Sequence, residues 1–173
     1  MSCLENKPTV LECAIAKAFA DAQLNVTSLE ELCCNLNDAE AREETGAFLN
    51  MRWQDVDAAR WMDHYGALYF FTDHAFRYFL PSLMVRALHS LDVVHLAVQT
   101  IIWSLLACGD RRLGNWNRGR WVALTVDELN TVNAWLIYLR KPLAAYGFTA
   151  ECEAAIAEVQ QMLGPEPKPE TGL

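Results

Sequence analysis

The sequence predicts an all-α protein, a compact single-domain bundle of about seven helices with a Pro-kinked helix and a buried central helix. Apolar residues recur at spacings of three and four along almost the whole chain, and no convincing segment alternates with β-branched enrichment. The chain has 173 residues, of which 53% are hydrophobic, enough for one core. We expect a single domain over residues 1–164 and a disordered tail over residues 165–173.

The first predicted helix begins at Pro8 or Thr9, where a proline suits a helix entrance. Its apolar stripe consists of Val10, Leu11, Ala14, Ile15, Ala18, Phe19 and Ala22. A short second helix follows Ser28, which forms a predicted capping box with Glu31. Both elements are expected to pack one face on the core.

A third predicted helix begins at Asp38 and carries its acids near the N-terminus, where the helix dipole favours them. Gly46 weakens the second half of this helix. A fourth runs from about Asp57 until Gly66 loosens it. Its predicted inward residues are Ala58, Trp61, Met62, Tyr65 and Leu68.

The stretch FFTDHAFRYFLPSLMVRAL, residues 70–88, predicts a helix capped by Thr72. One face of this helix is apolar and consists of Phe76, Phe79, Leu80, Leu83, Met84, Ala87 and Leu88. Pro81 lacks the N–H that would bond to the carbonyl of Arg77, so we expect a kink or two abutting helices there. Most aromatic residues of this stretch are thus expected in the core.

A helix over residues 92–108 can start at Asp92 and is apolar nearly all round, which predicts a central position. The next segment, GDRRLGNWNRGRW, breaks the periodicity and predicts the longest internal loop. Thr125 and Glu128 form a second capping box, ahead of a helix whose stripe is Leu129, Val132, Trp135 or Leu136, and Leu139. That helix stops at Lys141-Pro142. A last helix runs from Thr149 or Ala150 to Leu163, and Gly164 ends it.

The charge distribution favours a protein partner over a nucleic acid. The net charge is −8, whereas phosphate binding requires a basic field. Residues 1–75 carry a net charge of −8, residues 76–141 carry +4, and residues 142–173 carry −4. Such an acidic run is often only a solvated face, but it also suits recognition of a basic partner. The candidate partner-binding residues are Glu30, Glu31, Asp38, Glu40, Glu43, Glu44, Asp55, Asp57 and Trp116.

The segment from Arg111 to Trp121 interleaves arginine with tryptophan. Its arginines are Arg111, Arg112, Arg118 and Arg120. We favour arginines that pair with the protein's own acids, and a partner contact through Trp116 is the alternative.

Catalytic and metal signatures are missing from the sequence. There is no HExxH, no repeated ExxH, no GxSxG, no CxxC and no glycine-rich phosphate loop. Asp92 and His95 form a single DxxH, in which Asp92 is better explained as an N-cap. We therefore predict no catalytic residue, no metal site and no cofactor. Acid, base and cation could converge only in a polar cluster of His64, Asp73, His74, Arg77 and Tyr78.

Location follows from the termini and the cysteines. The N-terminus has no positively charged region before an apolar stretch, and no run of 18 or more uncharged apolar residues occurs. The six cysteines are scattered through apolar surroundings, which favours reduced and mostly buried thiols. We expect a cytoplasmic protein without a membrane span.

Two blocks, WQDVDAARWMDHYGALYFFTDHAFRYFLPSLMVRAL and RWVALTVDELNTVNAWLIYLR, resemble a family of small bacterial proteins of unknown function. The family pattern is a Trp, an ALxFLTPEAFRYYLPAFL-like core and then FxxLTxExxxVxxFLxYL. The matching positions are Trp53, Ala67, Leu68, Phe70, Thr72, Ala75, Phe76, Arg77, Tyr78, Leu80, Pro81, Leu124, Thr125, Glu128, Val132, Leu136, Tyr138 and Leu139. Asp73 and His74 replace the Pro-Glu of the pattern. The resemblance implies no activity, only that Arg77, Tyr78 and Pro81 belong to a shared structural motif.

The leading hypothesis from the sequence is a bacterial immunity or antitoxin-like protein that binds and neutralises a basic toxin enzyme through an acidic surface. Small size, acidic N-terminal charge, abundant Trp and Tyr and no catalytic signature favour it. A small enzyme of unknown reaction that uses the His/Asp/Arg cluster is the first alternative, and an adaptor protein is the second.

Overall fold

The computed structural model describes residues 7–109 and 114–164. These residues form nine α-helices and no β-strand, which confirms the all-α prediction. In chain order the helices are α1 Lys7–Ala18, α2 Leu29–Leu32, α3 Ala39–Gly46, α4 Ala58–Asp63, α5 Ala67–Phe70, α6 Asp73–Leu106, α7 Gly114–Val122, α8 Val126–Leu143 and α9 Thr149–Leu163. Short 3₁₀ turns lie at Trp53–Asp55, Ala107–Gly109 and Ala144–Tyr146.

Helix α6 is the centre of the fold and joins the two helices that the sequence predicts over residues 72–91 and 92–108. Its 34 residues leave helical geometry at Ser90, with φ −144° and ψ 45°. The break in the backbone therefore falls nine residues after Pro81, the predicted position. Pro81 is itself buried, and the surrounding packing carries the helix through it, although its ring removes one backbone hydrogen bond. All seven predicted apolar residues of the first half are buried.

Several helices pack on α6, among them α1, α4, α7 and α9. Three buried indole N–H groups from separate helices find their acceptors on α6. Trp61 donates to Ser82 Oγ at 3.1 Å, Trp121 donates to Ser104 Oγ at 3.0 Å, and Trp135 donates to the Met84 carbonyl at 3.0 Å. These bonds satisfy polar atoms that burial would otherwise leave without a partner.

Among the described residues, α6 is the one helix that is long and apolar enough to cross a membrane by length and composition. Half of its most apolar window is buried inside the fold. Core helices of globular proteins have the same character.

Capping confirms four predicted helix starts and corrects two others. Asp57 accepts the Arg60 amide ahead of α4, as predicted, whereas Asp92 lies inside α6 and is not the predicted N-cap. The side chains of Asp38, Thr72 and Thr125 each accept a backbone N–H at the start of their helices. Ser28 stands before α2 but makes no cap hydrogen bond, because its hydroxyl donates to Glu30 Oε2 at 2.6 Å instead. The predicted capping box with Glu31 is therefore wrong. The full box at Thr125 and Glu128 is confirmed.

Two predicted apolar stripes are narrower than expected. In α1, Ile15 is buried, as is Phe19 just after the helix, but Val10 is 55% exposed. In α4, Trp61 is buried, whereas Met62 and Tyr65 are 47% and 42% exposed. Helix α4 ends at Asp63, and His64 has φ −131° and ψ 42°, so Tyr65 no longer follows the helical register assumed from the sequence.

The predicted loop between Gly109 and Trp121 is largely helical, because α7 covers Gly114–Val122. Trp121 is completely buried and Arg120 is 1% exposed, so two adjacent residues anchor this helix to the core. Arg111, Arg112, Cys3 and the tail at residues 165–173 lie outside the described residues, as does the side chain of Trp116. The other five cysteines form no disulfide, and three of them are buried.

Candidate functional site

The acidic face is the surface of residues 28–63, which contains α2, α3, the 3₁₀ turn Trp53–Asp55 and α4. This segment holds nine acidic and three basic residues, a net charge of −6. Of the acids predicted to bind a partner, six are exposed: Glu30, Glu31, Glu40, Glu43, Asp55 and Asp57. Asp38 and Glu44 are partly buried.

Some of these carboxylates already have a role in local structure. Asp38 and Asp57 cap α3 and α4. Asp55 accepts two hydrogen bonds from Arg52, at 2.8 and 3.0 Å, which lower the pKa of its carboxyl. The Ser28 hydroxyl likewise lowers the pKa of Glu30. Both groups therefore remain charged at neutral pH.

Three other carboxylates, those of Glu31, Glu40 and Glu43, accept no hydrogen bond and form no ion pair within the part of the chain that the structure describes. Arg42, the cation between Glu40 and Glu43 in sequence, donates to the Leu36 carbonyl at 2.9 Å. These acids are therefore available to a ligand or partner.

Glu44 belongs to the fold. Its Oε1 lies 3.8 Å from His64 Nδ1, and a Cβ added at Gly66 would stand 3.0 Å from its Oε2. Burial raises the pKa of this carboxyl. Glu44 thus packs against the turn between α4 and α5, where its Oε2 and the Nδ1 of His64 have no hydrogen-bond partner among the described residues. It is less accessible than its neighbour Glu43.

Exposed apolar side chains adjoin the acidic face. Helix α3 packs on α5, and Glu44 touches Gly66 directly. Tyr65 immediately precedes Gly66, and Tyr69 lies three residues after it; they are 42% and 41% exposed. Met62, at 47%, is exposed one turn earlier. Tyrosine and methionine are enriched in protein interfaces relative to the rest of a protein surface.

The polar cluster predicted from the sequence is distributed over separate partners. His64 lies beside Glu44, Asp73 lies 3.9 Å from Arg120, and Arg77 bonds to Glu128. The Tyr78 ring packs edge-on against Phe79, with 4.9 Å between ring centroids. His74 is exposed. The side chains of His64, Asp73 and Arg77 therefore each have their own partner, and the latter two lie one turn apart on α6.

The pair of Arg77 and Glu128 joins the two sequence blocks that carry the family resemblance. Arg77 Nε donates to Glu128 Oε1 at 2.8 Å, and Glu128 is completely buried. The other oxygen of Glu128 accepts the Thr125 amide at 2.7 Å. One carboxylate therefore closes the N-terminus of α8 and holds α8 to α6.

Arg120 is a buried cation that sequence reasoning placed in a loop. It donates to the carbonyls of Leu68 and Phe71 at 2.6 and 3.1 Å and lies 4.8 Å over the Phe76 ring. Burial lowers its pKa to about 10, so the guanidinium stays protonated at neutral pH. Arg118, two residues earlier, is exposed. In the sequence, only the adjacent apolar residue Trp121 indicates that the segment around Arg120 packs on the core.

The described residues contain no group of three or more His, Cys, Asp or Glu side chains that could hold a metal ion. No described disulfide or paired thiol adds a redox centre.

One comparison with known proteins gives a match. A model described as a family of unknown function (DUF6714) matches residues 8–146, well over half of the chain. No curated protein and no solved structure matches.

Proposed function

We propose that this chain, which belongs to the family of unknown function DUF6714, binds a basic protein through its acidic face. In the specific form of the proposal, the protein is a bacterial immunity or antitoxin-like factor that acts in the cytoplasm and neutralises a basic toxin enzyme by covering it.

A single observation carries the proposal. Glu40 and Glu43 lie on α3, which packs on α5, and α2, the helix of Glu31, packs on α3. The exposed ring of Tyr69 lies on α5, and that of Tyr65 lies two residues before this helix begins. An acidic field accelerates encounter with a basic protein, and tyrosines at the centre of an interface supply contact area after docking. The surface therefore combines the two requirements of a fast and tight complex.

The arrangement of the basic and acidic groups favours binding over catalysis. His64, Asp73 and Arg77 each face a different partner, and Glu128 is buried with both oxygens hydrogen-bonded. An active site would need an acid, a base and a binding group within reach of one substrate. The engagement of each group by its own partner supports the partner-binding function over the enzyme alternative.

The first test is capture of a partner followed by binding kinetics. The tagged full chain is used as bait in native cytoplasm, and the neighbouring gene, the expected place of a toxin, supplies a candidate for direct expression. Raising the salt from low to physiological levels should slow association far more than it accelerates dissociation, because screening weakens steering.

Charge reversal locates the interface. Glu31→Lys, Glu40→Lys and Glu43→Lys together should reduce the association rate at least tenfold, roughly, since steering raises such rates by one to three orders of magnitude. A matched control reverses three exposed acids elsewhere, Asp92, Asp127 and Glu153. An acidic partner would exclude the acidic face as the binding surface. So would an association rate that changes neither with salt nor with the triple reversal. The segment around Trp116 would then be the next candidate.

The tyrosines give a separate kinetic signature. Tyr65→Ala and Tyr69→Ala should leave the association rate almost unchanged and increase the dissociation rate, because anchors act after encounter. Val126→Ala is the control, since Val126 is 64% exposed on α8 and lies off the acidic face.

A further inference from the structure

A groove of about 490 Å³ lies between α1, α6 and α8, and none of its lining residues belongs to the acidic face. Its charged and polar side chains are Lys17, Asp21, Arg77, Thr125, Asp127, Asn130 and Thr131. Two cations and two anions thus line one concave surface, together with one amide and two hydroxyls.

Arg77 presents a fixed edge to this groove. Its Nε is bonded to the buried carboxylate of Glu128, and its side chain remains 30% exposed. Its two terminal nitrogens donate no hydrogen bond to the described residues. Because Glu128 holds the guanidinium through its Nε, the two terminal nitrogens remain as parallel N–H donors. This pair of donors matches the two oxygens of a carboxylate.

The wall formed by α8 offers acceptors. The Thr131 hydroxyl already donates to the Asp127 carbonyl at 2.7 Å, so its remaining capacity is to accept. The Asp127 carboxylate only accepts, and the Asn130 amide oxygen accepts as well. An ammonium group, which has three donors and no acceptor, fits this wall.

We propose that the groove binds a small zwitterion, such as a free α-amino acid or a short peptide, with its carboxylate on Arg77 and its ammonium group on the α8 wall. A purely anionic ligand would meet Asp21 and Asp127, and a purely cationic one would meet Lys17 and Arg77. A ligand that carries both charges can pair with the cations and with the anions of the groove.

Calorimetric titration of the full chain tests the site. The probes are L-alanine, L-glutamine, L-lysine, L-phenylalanine and the dipeptide Ala-Ala. The matched analogues N-acetyl-L-alanine and L-alanine amide each lack one of the two charges. We expect saturable binding of at least one zwitterion, with a Kd of about 1 mM or tighter, and at least tenfold weaker binding of its two blocked analogues. Binding of amino acids alone would identify a free amino acid as the ligand. Binding of the dipeptide as well would show that a short peptide also fits.

A variant ties the binding to the groove. Asp127→Asn should weaken the zwitterion about tenfold, since a charge-assisted hydrogen bond becomes a neutral one. Asp63→Asn, an exposed aspartate on α4, should leave the affinity unchanged. The proposal is overturned if no probe gives saturable heat, if a blocked analogue binds as well as its parent, or if the two variants behave alike. Unfolding curves for both variants confirm that the groove is intact in each.

Discussion

Glu128 and Glu43 show how differently two regions of this protein use the same side chain. Glu128 is completely buried, and both of its oxygens accept hydrogen bonds, from Arg77 and from the Thr125 amide. Glu43 stands in the acidic face, exposed, and accepts no hydrogen bond from the described residues. A buried charge needs its partners for the fold to survive, whereas an exposed charge contributes little to stability and remains free for recognition.

The contrast repeats for arginine within one turn of α7. Arg120 is 1% exposed and bonds to two carbonyls at the end of α5, while Arg118 faces solvent. The region around α6, α7 and α8 therefore contains buried charged side chains whose hydrogen bonds are part of the fold. Within the acidic face, Glu31, Glu40 and Glu43 carry charge that the fold does not require, and the variants below test this division.

Arg120→Ala should have the largest effect. It leaves the carbonyls of Leu68 and Phe71 without their donor and opens a cavity beside Phe76, so we expect a loss of about 3–5 kcal/mol of unfolding free energy. Urea unfolding measures it. Arg118→Ala is the matched control and should change stability by no more than about 0.5 kcal/mol. Equal losses of unfolding free energy for the two variants would contradict the contrast between the buried and the exposed arginine.

Arg77→Ala should come next. It leaves the buried carboxylate of Glu128 without its cation, and removal of one member of a buried pair costs about 3 kcal/mol. This value is at the low end of the range for buried ion pairs, because Arg77 is 30% exposed and water can reach the site. The melting temperature should fall by several degrees. Arg140→Ala breaks an exposed pair with Glu153, at 3.9 Å, and should barely move the melting temperature.

Within the acidic face, Glu44→Lys and Glu43→Lys sharpen the comparison between adjacent residues. Glu44 is partly buried against His64 and Gly66, so a lysine there places a bulky cation beside an imidazole, and we expect a loss of about 1–3 kcal/mol. Glu43→Lys should stay within about 0.5 kcal/mol. Thermal unfolding of both variants at neutral pH decides whether Glu44 belongs to the fold or to the binding surface.

The smallest effect on stability is expected for the triple reversal of Glu31, Glu40 and Glu43. Each exposed substitution should shift the unfolding free energy by no more than about 0.5 kcal/mol, and relief of like-charge repulsion offsets part of any loss. Circular dichroism and urea unfolding supply the measurement. A large loss would mean that the acidic face is structural, and the interface would then have to be sought elsewhere.

The sequence predicted the elements whose signals are local. The caps at Asp38, Thr72 and Thr125, the buried face of α6 and the end of α9 at Gly164 all follow from neighbours within one or two turns. The bond between Arg77 and Glu128 joins residues 51 positions apart, and no local pattern contains it.

Three local signals misled for physical reasons. A segment rich in glycine and arginine predicts a loop, yet α7 forms because Arg120 and Trp121 find partners in the core. Ser28 is a good N-cap residue, but its hydroxyl donates a hydrogen bond to the nearby Glu30 carboxylate instead. The proline rule placed the break of α6 at Pro81, whereas the dihedral angles depart from helical values at Ser90.

The three indoles that donate to α6 give the protein a built-in optical reporter. Trp61, Trp121 and Trp135 lie on α4, α7 and α8, and each is completely buried. Detachment of one of these helices would expose one indole to water and shift part of the intrinsic emission to longer wavelength. Loss of α6 would expose all three at once. The number of steps in the emission spectrum during unfolding therefore reports whether the domain comes apart as one cooperative unit or helix by helix.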